Sequence, residues 1–84
     1  MQQSKAVKQV FNVYPNPAKD ILHVAASNDE PLEIILYDFL SRQMLRQPFT
    51  SATTINIGQL ADGIYFYELR NSKVVLKTGK VVKQ

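Results

Sequence analysis

Seven short runs of alternating apolar and polar residues, broken by turn signals at roughly 8–12-residue spacing, leave this chain few folds to choose from. The runs fall at 10–14, 21–26, 32–37, 42–49, 55–57, 64–69 and 74–84. None of them carries a helical period of useful length. Successive side chains of a strand face opposite sides, so each run names the residues that enter a core. A chain of 84 residues makes one small domain. Such a domain buries only about 60–65% of its unfolded surface, so every strand must contribute to a single core. The expected architecture is a seven-stranded antiparallel immunoglobulin-like β-sandwich with Greek-key topology. A five-stranded barrel is the alternative.

The densest aromatic and β-branched run is Ile64-Tyr65-Phe66-Tyr67-Glu68-Leu69. Ile64, Phe66 and Glu68 point one way, and Tyr65, Tyr67 and Leu69 the other. The run follows a turn, Ala61-Asp62-Gly63, in which Asp-Gly supplies what a tight turn requires. A Leu60-x-x-Gly63-x-Tyr65 approach to a strand resembles a tyrosine corner, in which a Tyr hydroxyl reaches back to a backbone group a few residues upstream. Tyr65 is the candidate.

The other runs are less regular. Residues 1–9 are polar and read as a linker. The first strand places Phe11 and Val13 opposite Val10, Asn12 and Tyr14, and Pro15-Asn16-Pro17 stops it in a stiff, extended corner. Leu22 and Val24 are the inward pair of the second strand, with His23 on the other face. The third has a fully apolar face of Leu32, Ile34 and Leu36. In the fourth, Met44 is the best inward candidate, although Arg42 and Arg46 share its parity. That conflict and Pro48 mark an edge strand. Arg70-Asn71-Ser72-Lys73 signals a hairpin, and Gly79 is expected to bulge or break the last strand.

Composition narrows the function. A hydrophobic fraction of 45% is too high for a disordered tail. With no Cys there is neither a disulfide nor a thiolate metal site. The net charge of +3 is uneven: all five ionisable side chains of residues 70–84 are basic, and the acids lie before them. These lysines alternate with Val and Leu rather than with stacking aromatics, which does not suggest nucleic acid as a partner. The lone His23 has no evident nucleophile beside it, the serines sit in turns, and Asp20, Asp29, Glu30, Asp38 and Asp62 read as turn caps. Three glycines form no phosphate loop. No catalytic residue, cofactor or metal is expected. No apolar run is long enough to span a membrane, and residues 1–5 contain no apolar leader core.

Four segments together resemble one family. Tyr14-Pro15-Asn16-Pro17-Ala18-Lys19-Asp20 is similar to the opening of the C-terminal sorting domains of type IX secretion cargo (Por secretion tails) of the Bacteroidetes. Tyr37-Asp38 with Ser41-Arg42 resembles that family's central Tyr-Asp-x-x-Gly-Arg motif, with Ser41 in place of the Gly. Leu60-x-x-Gly63-x-Tyr65 and the basic-apolar ending Lys80-Val81-Val82-Lys83-Gln84 match the remaining two. The Ser41 departure puts the shape of that turn in question, since Gly would allow positive φ there.

The resemblance implies a targeting module on the end of a larger exported precursor. Such a domain crosses the periplasm, is recognised by outer-membrane secretion machinery, and delivers its cargo to the cell surface or medium. A sortase-like protease then cuts upstream of it, here in or before residues 1–9, and the cargo is often joined to lipopolysaccharide. Lys80, Val81, Val82, Lys83 and Gln84 are the expected recognition residues. Pro15, Asn16, Pro17, Tyr37, Asp38, Arg42, Leu60, Gly63 and Tyr65 are expected to be mainly structural. The terminal strand is expected to expose an edge for strand addition, through which two copies could also pair. The alternative is an immunoglobulin-like adhesive or substrate-binding module, for which Phe39, Leu40 and Phe49 could form an exposed patch.

Overall fold

A computed structural model describes residues 9–84. Residues 1–8 of the expected linker lie outside the described residues. The chain forms β1 (Phe11–Tyr14), β2 (Ile21–Ala26), β3 (Pro31–Tyr37), β4 (Gln43–Thr50), β5 (Ala52–Asn56), β6 (Gly63–Arg70) and β7 (Val75–Lys83). Their lateral order is β1-β2-β5-β4-β3-β6-β7, with every neighbouring pair antiparallel. A single residue pair, Thr50–Ala52, joins β4 to β5. Ser51 between them takes φ 68° and its carbonyl accepts from the Ala26 amide at 2.8 Å. The ribbon turns back on itself at this corner. The result is two layers, β1-β2-β5 and β4-β3-β6-β7. With β2–β5 and β3–β6 as the inner pairs, this is the seven-stranded antiparallel, immunoglobulin-like sandwich that the alternation called for.

One core fills the space between the layers. Leu22 and Val24 of β2 and Ile55 of β5 meet Ile34 and Leu36 of β3, Tyr65, Tyr67 and Leu69 of β6, and Val81 of β7. Phe11 and Val13 pack against them from β1. In β1 the face of Phe11 and Val13 turns inward, in β6 the face of Tyr65, Tyr67 and Leu69, and the core faces expected of β2 and β3 are borne out.

Two local readings are not. Met44 is 40% exposed, and Leu45 and Phe49 pack on the core instead. Leu45 and Phe49 share the inward parity, so plain alternation turns Met44 outward with Arg46; a register irregularity, Leu36 pairing with Leu45 but Tyr37 with Gln43, also makes Met44 an extra residue. The last strand is not broken at Gly79 either. Tyr67 pairs with Gly79 in unbroken register, and the shift falls at Leu69/Arg70 instead. A Cβ on Gly79 would come within 2.5 Å of the Tyr67 ring, so glycine here makes room for an aromatic across the strands rather than for a bend.

Candidate functional site

The strand registers give the sandwich two poles. At one, β1 begins: Phe11 pairs with Ala26 near the end of β2. Gln9 and Asn71 donate to the two oxygens of Glu30 at 3.2 and 3.1 Å, which ties the N-terminal connection to the β2–β3 and β6–β7 loops. The other, distal pole holds the β1–β2 corner, the β3–β4 turn, the β5–β6 loop and the end of β7. All four segments with the family resemblance meet there.

The corner after β1 contacts the terminal strand directly. Both Tyr14–Pro15 and Asn16–Pro17 peptide bonds are cis. The carboxamide of Asn16 donates to the Lys80 carbonyl at 2.8 Å and accepts from the Val82 amide at 3.0 Å. Ala18, in a parallel bridge with Lys83, continues the pairing: its amide donates to the Val82 carbonyl and its carbonyl accepts from the Gln84 amide, both at 2.8 Å. The edge of β7 opposite β6 is thus taken along its last residues. The expectation of an exposed terminal edge is not met there, because Asn16 and Ala18 already pair with it.

Alternation then sorts the terminal residues. Val81 is fully buried in the core and Lys83 is also buried, with Nζ 3.5 Å from Asp62 Oδ1. Lys80, Val82 and Gln84 face the other way, Lys80 and Gln84 exposed and Val82 half-buried. Lys83 thereby links the terminal strand to the β5–β6 loop.

That loop is held by Tyr65, whose hydroxyl donates to the Ala61 carbonyl at 2.6 Å. This is the tyrosine-corner bond, four residues upstream. Leu60 packs against the core, and Gly63 has φ 148°, a conformation that side-chain-bearing residues rarely take. No atom lies within 4 Å of where a Gly63 Cβ would stand, so the requirement is conformational, not steric.

The β3–β4 turn is built around Asp38. Its Oδ1 accepts from the Leu40 and Arg42 amides, each at 2.9 Å, and its Oδ2 from Arg42 Nε at 2.7 Å. The Arg42 amide, together with the Arg42 guanidinium and the Leu40 amide, holds the carboxyl below the usual Asp range against the opposing effect of burial. Ser41 takes φ 67°, the positive-φ conformation that Gly would allow without strain, so the serine carries the strained conformation itself. Tyr37, at the end of β3, donates to Glu68 at 3.2 Å; burial and then the Glu68 charge raise its pKa.

The turn and the β5–β6 loop border a cavity of about 280 Å³, with Asp38, Phe39, Arg42 and Met44 on one side and Leu60, Ile64 and Tyr65 on the other. Exposed apolar groups gather in this half of the molecule: Tyr14, Ile21, Phe39, Leu40, Met44, Ile64 and Phe66, against Val10, Val74 and Val75 towards the opposite pole. Phe49 is not part of the surface patch expected with Phe39 and Leu40, because it packs against the core. The sequence reading missed Ala18, Asp62, Ile64 and Phe66 as parts of this pole. Only Ile64 and Phe66 had a visible signal, being apolar on the face of β6 opposite Tyr65 and Tyr67.

His23 lies on the three-stranded layer, with Nδ1 3.2 Å from Thr54 Oγ1 and its ring centroid 5.1 Å from that of Tyr14. Among the described residues no group of three His, Cys, Asp or Glu side chains could hold a metal ion.

The small sandwich thus has its N-terminal connection at one pole and a shaped, partly apolar surface at the other. The chain belongs to the secretion system C-terminal sorting domain family, whose model matches residues 12–84. A search among curated proteins finds no matching relative. The family makes the domain a C-terminal sorting signal of type IX secretion, carried by an upstream cargo and exported across the outer membrane.

Proposed function

We propose that the distal pole is the surface that the outer-membrane secretion machinery reads while the cargo hangs from the opposite pole. The observation that carries this reading is the convergence of the four family segments on the pole away from Gln9. In such a layout the cargo does not cover the surface that must be recognised. Of the terminal residues, Lys80, Val82 and Gln84 supply side chains to a partner. Val81 and Lys83 hold the strand in place. A sortase-like protease then cuts in or before residues 1–9, and the released cargo is transferred to surface lipopolysaccharide or set free.

The test is export of a reporter. The 84-residue chain is placed behind a signal peptide and a fluorescent protein in a type IX-competent bacterium, beside the same reporter without the domain. Surface or medium fluorescence that depends on the domain is the expected result. A folded fusion that stays in the periplasm overturns the reading and favours a surface binding module. Truncating residues 80–84 is a poor probe, because it removes Val81 from the core and the partners of Asn16 and Ala18.

A further inference from the structure

A terminal strand can be read in two ways, through its backbone edge or through its side-chain face. Resting on the sorting reading above, we propose that a partner reads β7 through its outer face, and that this partner is a folded protein presenting an apolar surface with a carboxylate.

The edge is already occupied. In an antiparallel pair each residue directs its N–H and C=O to the same side of the strand, alternately towards and away from the partner strand. The outward groups near the end of β7 are both groups of Lys80, both groups of Val82 and the Gln84 amide. Asn16 and Ala18 satisfy four of these five, all but the Lys80 amide. Strand addition there would first have to strip off the corner that links β1 to β2 and leave the Asn16 carboxamide without partners. The groups left open begin at the Lys80 amide and run back towards Thr78.

The face is open. Register places Val82 beside Ile64, and Phe66 between Lys80 and Tyr37. Ile64 and Phe66 are each 45% exposed. Together with Val82 and Tyr37 they form an apolar stripe across β7, β6 and β3, next to a groove of about 630 Å³ that also takes in Thr78 and Gly79. Single exposed apolar residues need no explanation, but a contiguous set on one sheet face marks an interaction surface.

Charge specifies the partner. Among the described residues no carboxylate lies within ion-pair distance of Lys80. Glu68, two residue pairs further along β6 and next on the same face, already accepts from Tyr37 and lies 3.7 Å from Arg70. Lys80 therefore stands beside Phe66 as a cation awaiting an acid, and a carboxylate beside an apolar contact would complement both.

The experiment uses the reporter fusion with variants shown to be folded by circular dichroism and urea unfolding. Phe66→Ser and Lys80→Glu are each expected to lower surface signal by roughly tenfold or more, as loss of a central anchor does in a protein interface. Ile64→Thr provides a second, milder probe of the same face and is expected to lower export in the same direction. Lys80→Arg keeps the charge and is expected to retain most of the signal that Lys80→Glu loses; Asn16→Ala frees the edge without touching the face and is expected to stay within about twofold of wild type, as substitutions outside an interface do. Export of folded Phe66→Ser and Lys80→Glu at the wild-type level overturns the proposal while leaving the sorting reading intact. A folded Asn16→Ala exported several-fold above wild type also overturns it, in favour of the edge. Retention of the wild-type fusion overturns the sorting reading and this inference with it.

Discussion

The ring of Tyr67 lies over Gly79, its partner across β6 and β7, and fills the volume that any side chain at Gly79 would need. Two ring atoms, Cε2 and Cζ, and the hydroxyl oxygen stand 2.5 Å from where a Cβ would be. Tyr67 is buried, so it cannot swing into solvent to relieve the contact. Gly79→Ala is expected to cost about 1–3 kcal/mol, the range for overpacking a closed core. Urea unfolding would show a lower midpoint at unchanged slope. Tyr67→Leu in the Gly79→Ala background should cost less than the two single changes added together, because the clash and the ring are one interaction.

Ser41 holds φ 67° at a position where glycine has no steric objection. The left-handed conformation costs a side-chain-bearing residue roughly 1–2 kcal/mol, while glycine adds about 0.5–1 kcal/mol of unfolded-chain entropy. The difference leaves Ser41→Gly stabilised by roughly 0.5–1 kcal/mol. The Asp38 amide and carboxylate contacts on either side should be unchanged, so the gain should appear in the thermal midpoint without a change in the acid response.

That acid response belongs to Asp38. Its carboxyl titrates below the ordinary range in the folded chain, chiefly through the Arg42 amide. A carboxylate with a lower pKa folded than unfolded stabilises the fold above its unfolded pKa of about 3.9, and this contribution is lost as pH falls through the folded value. Wild type should therefore lose stability on acidification from about pH 5 downwards. Asp38→Asn keeps an acceptor for the Leu40 and Arg42 amides but not the ion pair. Its stability is expected to be lower at neutral pH and to fall less between pH 5 and pH 2. Parallel pH curves for the two proteins would overturn the assignment.

The 2.6 Å bond from Tyr65 to the Ala61 carbonyl pins the β5–β6 loop beside the terminal strand. Tyr65→Phe keeps the buried ring and removes only the donor. The expected loss is about 0.5–1.5 kcal/mol, towards the lower end because Ala61 is exposed and its carbonyl can turn to water. Amide hydrogen exchange should quicken in the loop at 57–62 more than in β3.

How much of this was legible depended on how local each cause is. Alternation placed Leu22, Val24, Ile34 and Leu36 in the core and put Tyr65 and Leu69 on one face of β6, because facing in a strand is decided by neighbours two residues away. In β4 the rule holds but the face is ambiguous: Met44 stands on one parity with two arginines and Leu45 and Phe49 on the other, and it is the second that turns inward. The Asp38–Arg42 pair and the Tyr65 bond each span four residues, and the turn and corner chemistry pointed to them. The covering of β7 could not be read this way. Asn16 lies 64 residues from Lys80, and an Asn between two prolines looks like turn chemistry whatever it touches. The burial of Lys83 was hidden for the opposite reason: a lysine at a strand end ordinarily reads as solvated, and only its core-side parity with Val81 set it apart.

The Asn16 carboxamide acts as a surrogate peptide group, one donor and one acceptor set against one acceptor and one donor of β7. Asn16→Asp tests that description more sharply than removal does. An ionised Asp would still accept from the Val82 amide, but its second oxygen would face the Lys80 carbonyl, acceptor against acceptor. At neutral pH Asn16→Asp is therefore expected to be at least as destabilising as Asn16→Ala, about 1–2 kcal/mol for two partly exposed bonds. Protonation restores a donor towards Lys80, which raises the folded pKa of the new carboxyl above its unfolded value. The sign is then the reverse of that for Asp38: relative to wild type, Asn16→Asp should recover as pH falls through the raised folded pKa towards about 4. Urea midpoints for wild type, Asn16→Ala and Asn16→Asp at pH 7 and pH 4 would show it. An Asn16→Asp deficit that is equal at both pH values would mean that the Lys80 carbonyl has found another donor and that the carboxamide does not bridge the edge as a peptide would.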